Sequence, residues 1–255
     1  MPEYLGLDRP LYALEHQALD GRPARYTRVE TIAGYYLQEL KTICPHGPYV
    51  LGGYSFGAAV AFEVAHQLAS AREEVAALFL LDPPGHAQTP SSAAGNGSPQ
   101  PGRPLARRKT GQSLFRRTKS ALSDRLGVPR AWIRKTLQRV RWKACLLNRR
   151  ILPPSLRSAY ILDVYRQALQ SYTPSRYAGP VTIIATNSPR HRPPFAWIDF
   201  ITGPVEIHEM PGGHMDLTRE PQVAQWAATL QASLERVTVT ARSRPTRHDD
   251  QLATP

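Results

Sequence analysis

Tyr49-Val50-Leu51-Gly52-Gly53-Tyr54-Ser55-Phe56-Gly57 is an apolar run that closes on a serine between two glycines, and an alanine-rich stretch, Ala58 to Ala69, follows directly. The run has the length of a strand, and the alanine-rich stretch after it reads as a helix. Gly53-Tyr54-Ser55-Phe56-Gly57 between them matches G-x-S-x-G, the sharp strand-to-helix turn that exposes a nucleophilic serine. On that reading Gly53 and Gly57 avoid clashes that a Cβ would cause. The turn lifts the Ser55 hydroxyl clear of the sheet and sets the Phe56 amide where an oxyanion would form. The five-residue pattern is short enough to arise by chance; its setting between strand and helix gives it weight.

Working outward, Val75 to Leu81 is almost wholly apolar, as a strand covered on both faces should be. Strand, helix and strand in so short a span form a βαβ unit with a right-handed crossover. Upstream, Leu11 to Leu14 reads as a short strand and Val29 to Ile43 as a helix, with apolar positions at Val29, Ile32, Tyr36, Leu40 and Ile43. Downstream, Ser155 is the expected N-cap of a helix to about Tyr172. Strands are expected at Val181–Ala185 and Val205–Glu209, and a last helix from Pro221 to about Val237.

Between Asp82 and Pro154 the character changes. Pro83 to Gly111 is rich in Pro, Gly, Ser and Ala and reads as loop; Ser113 to Asn148 reads as two or three short helices. The expected architecture is an α/β fold: a mostly parallel sheet flanked by helices, with a helical lid inserted after the strand that ends at Asp82. One domain would span residues 1–237, with the lid at about 83–154, and the polar tail 238–255 would be disordered.

A serine nucleophile needs a base to take its proton and an acid to orient that base. Among eight histidines, His214 stands out because Pro211-Gly212-Gly213-His214 directly follows a strand, and such a loop presents an imidazole at the sheet edge. A turn with an exposed histidine is the plainer alternative. His208 lies within the strand itself, and His86 and His191 sit in loops. For the acid, Asp82 ends the strand next after the nucleophile's own, which places it at the same edge as Ser55. Its plainer role is to cap the following turn. Asp163 falls in a helix, Asp199 in a segment of no clear pattern, and Asp216 too near His214 to face it.

Composition narrows the class. The net charge of +12 is concentrated: residues 103–150 carry 16 Lys or Arg against the single acid Asp124, which gives +15, and the remainder carries 16 bases and 19 acids, which gives −3. Nucleic-acid binders show such a stripe, but none of their motifs is present and only Phe115, Trp132 and Trp142 interrupt the charge. No apolar run reaches the roughly 20 residues of a membrane span. The start, Met1-Pro2-Glu3-Tyr4, shows no basic n-region or apolar h-region, so secretion is not expected. Cys44 and Cys145 read as free thiols in a reducing compartment, so a cytoplasmic location is expected. No metal ligand set and no resident cofactor are expected.

The stretch from Gly47 to Gly57 resembles the nucleophile region of the thioesterase domains that terminate nonribosomal peptide and polyketide synthetases, members of the α/β-hydrolase superfamily. The acid of that family follows the next strand about 27 residues after the serine, as Asp82 follows Ser55 here. A lid comes next, and the base lies in a Gly-(Gly/Asp)-His loop before Glu-Pro and a final helix, as Gly212-Gly213-His214-Met215 and Glu220-Pro221 do here. Leu11-Tyr12-Ala13-Leu14 and Leu19-Asp20-Gly21 are similar to the family's fourth strand and following loop. The likeness covers most of residues 8 to 237 and is least in the lid.

The resemblance implies an acyl or peptidyl chain held as a thioester on the phosphopantetheine arm of an acidic carrier protein. Ser55 would take the acyl group, and water or an internal nucleophile would release it. The basic segment 103–150 would then steer the carrier's docking; a merely solvated basic face is the alternative. Other serine esterases and acyltransferases share the same machinery. The family also has an upstream strand ending in a His-Pro-x-Gly-Gly loop that supplies a second oxyanion amide. No counterpart lies between Met1 and Pro10, so the expectation is a chain truncated at its N-terminus by a misplaced start or as a gene fragment, or one with rearranged pairing. A catalytically impaired remnant is the corresponding functional alternative.

Overall fold

The computed structural model describes residues 4, 10–85, 130–148, 150–187 and 194–243. The Pro83–Gly111 loop beyond Gly85, the basic segment up to residue 129, His86, His191 and the tail beyond Ser243 lie outside the described residues. The chain divides into two compact units. One comprises Met1–Gln17, Ala24–Gln88 and Leu162–Pro255, and the other Ala18–Pro23 and Thr89–Ile161.

The larger unit is built on four strands, β1 (Tyr49–Tyr54), β2 (Val75–Leu81), β3 (Val181–Thr186) and β4 (Val205–Met210), in the order β1-β2-β3-β4. All three pairings are parallel. Every residue of β3 is buried, and β2 is buried at all but one position, which is what near-continuous apolar strands require. Alternation along β2 divides its side chains between two cores. Leu78 and Leu80 join Val181, Ile183 and the helices α1 (Val29–Ile43) and α2 (Phe56–Ser70). Ala77, Phe79 and Leu81 join Ile184, Met210 and the Trp226–Leu230 face of α5 (Gln222–Ser243). Each large aliphatic or aromatic side chain so buried contributes about 1.5–3 kcal/mol. The α2 helix buries a run from Ala58 to Ala65 together with Leu68, because its alanines let it sit close to the sheet.

The smaller unit contains α3 (Arg130–Leu147) and the first turns of α4 (Pro154–Ser171), which crosses into the larger one. Trp142 of α3 packs on Tyr160 with ring centroids 5.2 Å apart. Arg157 ties the Ala18–Pro23 loop to Leu152: its guanidinium donates to Leu19 O at 2.6 Å and to Leu152 O at 2.9 Å, and Leu152 N donates to Gly21 O at 2.8 Å.

Several expectations are corrected. Leu11–Leu14 is not a strand: Leu11, Tyr12 and Leu14 are 55%, 53% and 45% exposed and the segment joins no sheet. An apolar run becomes a strand only where another strand's edge takes its hydrogen bonds, and none of the four does so here. Ser155 is not an N-cap, because Pro154 is already the first helical residue, its missing N–H costing nothing in a first turn. Residues 130–147 form one continuous helix, which no Gly or Pro interrupts; residues 113–129 of the stretch expected as two or three short helices lie outside the described residues. The last helix runs on to Ser243, past Val237.

Candidate active site

The β1 strand ends at Tyr54 and α2 begins at Phe56, so Ser55 alone makes the turn. Its φ of 54° and ψ of −123° lie where few non-glycine residues sit, at a cost of about 1–3 kcal/mol. Two contacts hold it there: Ser55 N donates to Leu81 O at 2.9 Å, and Ala58 N donates to Ser55 O at 2.9 Å. The Ser55 hydroxyl makes no capping hydrogen bond, so helix formation does not consume it. A Cβ on Gly53 would stand 2.0 Å from Gly57 O, which makes glycine obligatory there. Gly57 corrects the sequence reading: a Cβ on it would meet nothing within 4 Å, since the crowding comes from its carbonyl pressing on Gly53 and not from its own side-chain position.

The Phe56 amide is the first of the helix, among the N–H groups that have no intrahelical acceptor and that carry the positive end of the helix dipole. Its ring lies flat on Tyr165 of α4, centroids 3.9 Å apart and planes 7° off parallel, which fixes the residue bearing that amide.

The carboxylate of Asp82 is 2% exposed and both of its oxygens are engaged. Oδ1 accepts from Thr186 N at 2.9 Å and from Thr186 Oγ1 at 3.0 Å, and Oδ2 meets His214 Nδ1 at 2.5 Å. Its backbone has a φ of 43°, tolerable for aspartate, and is pinned by Asp82 N donating to Ile184 O at 2.6 Å. A buried carboxylate without such partners would cost several kcal/mol. His214 opens a short 3-10 helix, His214–Thr218, after the β4 loop. Asp216 Oδ2 accepts from Gly213 N at 2.7 Å, and Gly212 takes the φ of +107° that the tight return requires. With Nδ1 facing a carboxylate, the proton is assigned to Nδ1, and Nε2 of the neutral ring is left with its lone pair.

Tyr54 and Thr186 are site residues that sequence reasoning missed. The Tyr54 ring stacks on the His214 imidazole, centroids 4.6 Å apart and planes 17° off parallel, and its hydroxyl donates to His214 O at 2.6 Å. Burial, and then the nearby Asp82 and Asp216 carboxylates, push the Tyr54 phenol above its ordinary range. The only sequence signal for Thr186 is a polar residue ending an apolar strand. The passed-over candidates have other occupations. Asp163 is engaged with Arg166 at 3.2 Å and Gln167 at 3.0 Å along α4. Asp216 caps the histidine loop, Asp199 is exposed on a 3-10 helix, and His208 stays within β4. Among the described residues no group of three or more His, Cys, Asp or Glu could hold a metal ion. No helix there is long and apolar enough to cross a membrane.

Residues 8–234 match the family model described as Thioesterase domain. The chain belongs to the thioesterase domain family. This agrees with the resemblance read from the sequence, and the parallel sheet with flanking helices agrees with the expected fold class. The thioesterase domain is 27% identical over 260 residues to "Chondramide synthase cmdD" of Chondromyces crocatus, covering 92% of this chain and 6% of that protein. It is 40% identical over 86 residues to "Inactive atromentin synthetase invA6" of Paxillus involutus, covering 34% and 9% respectively. It therefore spans less than a tenth of the length of these curated relatives. Among solved structures it superposes on the NocB thioesterase domain in covalent complex with a fluorophosphonate nocardicin G analog. The TM-score is 0.53 at 20% identity, over 87% of this chain and 81% of that one, a likeness of fold.

Proposed function

We propose that this thioesterase domain releases an acyl or peptidyl chain from a phosphopantetheinyl carrier protein through an ester on Ser55. The observation that carries the proposal is the Asp82–His214 contact at the sheet edge where Ser55 makes its strained turn. Ser55 Oγ attacks the thioester carbonyl while its proton passes to His214 Nε2, and the Phe56 amide donates to the oxyanion. The C–S bond then breaks, and the imidazolium returns that proton to the departing thiolate. In the second half, water or a nucleophile within the chain itself gives a proton to His214 and attacks the ester. Ser55 recovers its proton as the acid or the cyclised product leaves. A thioester is already activated, so the demands fall on activating the serine and stabilising the oxyanion.

The partner's chemistry is argued from charge. Residues 130–150 contain no acid, and Arg139, Arg141 and Lys143 on α3 are exposed. An acidic carrier with its phosphate-bearing arm is the complement of such a surface. No cofactor of the domain's own is required.

A second reading, an impaired remnant, is favoured by one observation: β1, the strand that delivers Ser55, pairs only with β2 among the described residues, leaving its outer edge unpartnered. A fluorophosphonate probe on wild type and Ser55→Ala separates the two. Labelling of the wild type alone, with thioester turnover exceeding that of the matching ester, supports the release reading. Labelling with ester turnover alone favours a general esterase, and a folded chain that does not label favours the remnant.

A further inference from the structure

We infer that Tyr54 is a positioning residue for His214, holding the imidazole in the plane in which Nδ1 meets Asp82. The inference rests on the reading of His214 as the base and adds to it the group that sets the ring's orientation. A histidine on a short loop after a strand has two freedoms that matter to proton transfer, the place of its backbone and the rotation of its ring. Asp82 fixes one edge of the imidazole at Nδ1, but a single hydrogen bond is an axis about which the ring can still tilt.

Tyr54 removes both freedoms at once. Its hydroxyl donates to the His214 carbonyl at 2.6 Å, which anchors the backbone, and its ring lies against the imidazole face at 4.6 Å and 17°, which opposes tilting. Tyr54 is able to do this because it is the last residue of β1, one step before Ser55. Successive side chains alternate across a strand, so the turn that presents the nucleophile also delivers the ring that braces its base. Nucleophile and base are thus referenced to the same two residues of backbone. Titratable groups near the imidazole include Asp82 at the end of β2, which meets its Nδ1, and Tyr54 itself, with Asp216 on the same 3-10 helix accepting from Gly213 N.

The test uses Tyr54→Phe, which keeps the stack and loses the hydroxyl, and Tyr54→Leu, which loses both. The first readout is the downfield Nδ1–H proton resonance of His214, assigned by its disappearance in Asp82→Asn. It should persist in wild type and Tyr54→Phe and be lost to solvent exchange in Tyr54→Leu. The second is the fluorophosphonate labelling of Ser55. Tyr54→Leu should lower the maximal labelling rate about tenfold with the probe's half-saturating concentration unchanged, as a misaligned base does, and Tyr54→Phe should recover most of that loss. If Tyr54→Leu does not fold, Tyr54→Met replaces it with the same expectations. A resonance that survives in the aliphatic variant, with labelling at the wild-type rate, overturns the inference, as does a Tyr54→Phe variant as impaired as Tyr54→Leu. A wild type that shows the resonance but never labels overturns the catalytic reading and leaves the bracing of His214 to be decided by the resonance alone.

Discussion

Asp82 and His214 lie 132 positions apart in the chain and meet through a 2.5 Å contact between Oδ2 and Nδ1. Each is delivered by the end of a different parallel strand, and Asp82 is held in turn by Thr186 from the strand between them. Asp82→Asn keeps the size and one acceptor oxygen but presents either an N–H or a weaker acceptor to Nδ1, which favours the wrong tautomer. The expected outcome is a folded protein whose thioester turnover and Ser55 labelling fall by about 10⁴, the scale seen when a triad acid is neutralised. Thr186→Val removes only the hydroxyl donor and leaves the Thr186 backbone bond in place. It should lower stability by about 1 kcal/mol and activity only a fewfold. Equal losses in the two variants would mean that Asp82 serves the fold and not the histidine.

The two glycines of the elbow should part company on substitution. Gly53→Ala forces a methyl to 2.0 Å from a carbonyl that cannot retreat without unwinding the start of α2, so a loss of more than about 2 kcal/mol is expected. Gly57→Ala places its methyl in open space on a helix and should stabilise by up to about 1 kcal/mol. Urea unfolding of both variants decides it; comparable destabilisation by each would contradict the asymmetry.

This asymmetry marks where sequence reasoning stops. The runs Val75–Leu81 and Val181–Ala185 were legible because strands covered on both faces need little but apolar residues. Asp82 and His214 were legible because each follows a strand in a loop-forming context. Tyr54 and Thr186 were not, since their roles come from contacts across strands that no local pattern encodes. Gly57 was misassigned for the same reason: the motif shows two glycines, and only the backbone path tells which is crowded. Leu11–Leu14 failed on partnership, because its residues suit a strand but no strand edge receives it.

Acid should loosen the far end of β1 before it affects the core. Glu73 accepts from Gly47 N at 3.3 Å and pairs with Lys41 at 3.3 Å and His46 at 3.4 Å. The Gly47 N–H, against an opposing contribution from burial and with help from Lys41 and His46, holds its carboxyl below the usual range. A depressed folded value means stability that is present above the unfolded carboxylate value, about 4.3, and lost as pH falls through the folded one. Urea midpoints should therefore drop more steeply below pH 4.5 in wild type than in Glu73→Gln. Parallel curves for the two proteins would remove Glu73 from the acid response.

If the basic segment docks an acidic carrier, salt should act on binding and not on chemistry. Screening shortens the reach of surface charges to about 8 Å at physiological ionic strength and about 3 Å at 1 M. The KM for an acyl chain on its carrier should thus rise severalfold between low and high salt, while kcat stays level and turnover of a small uncharged thioester is unchanged. Reversing Arg139, Arg141 and Lys143 together to Glu should reproduce the high-salt KM at low salt, because these are exposed charges on α3 within the basic segment. A carrier KM indifferent to both salt and charge reversal would reduce the segment to a solvated basic face, with the carrier recognised elsewhere on the domain.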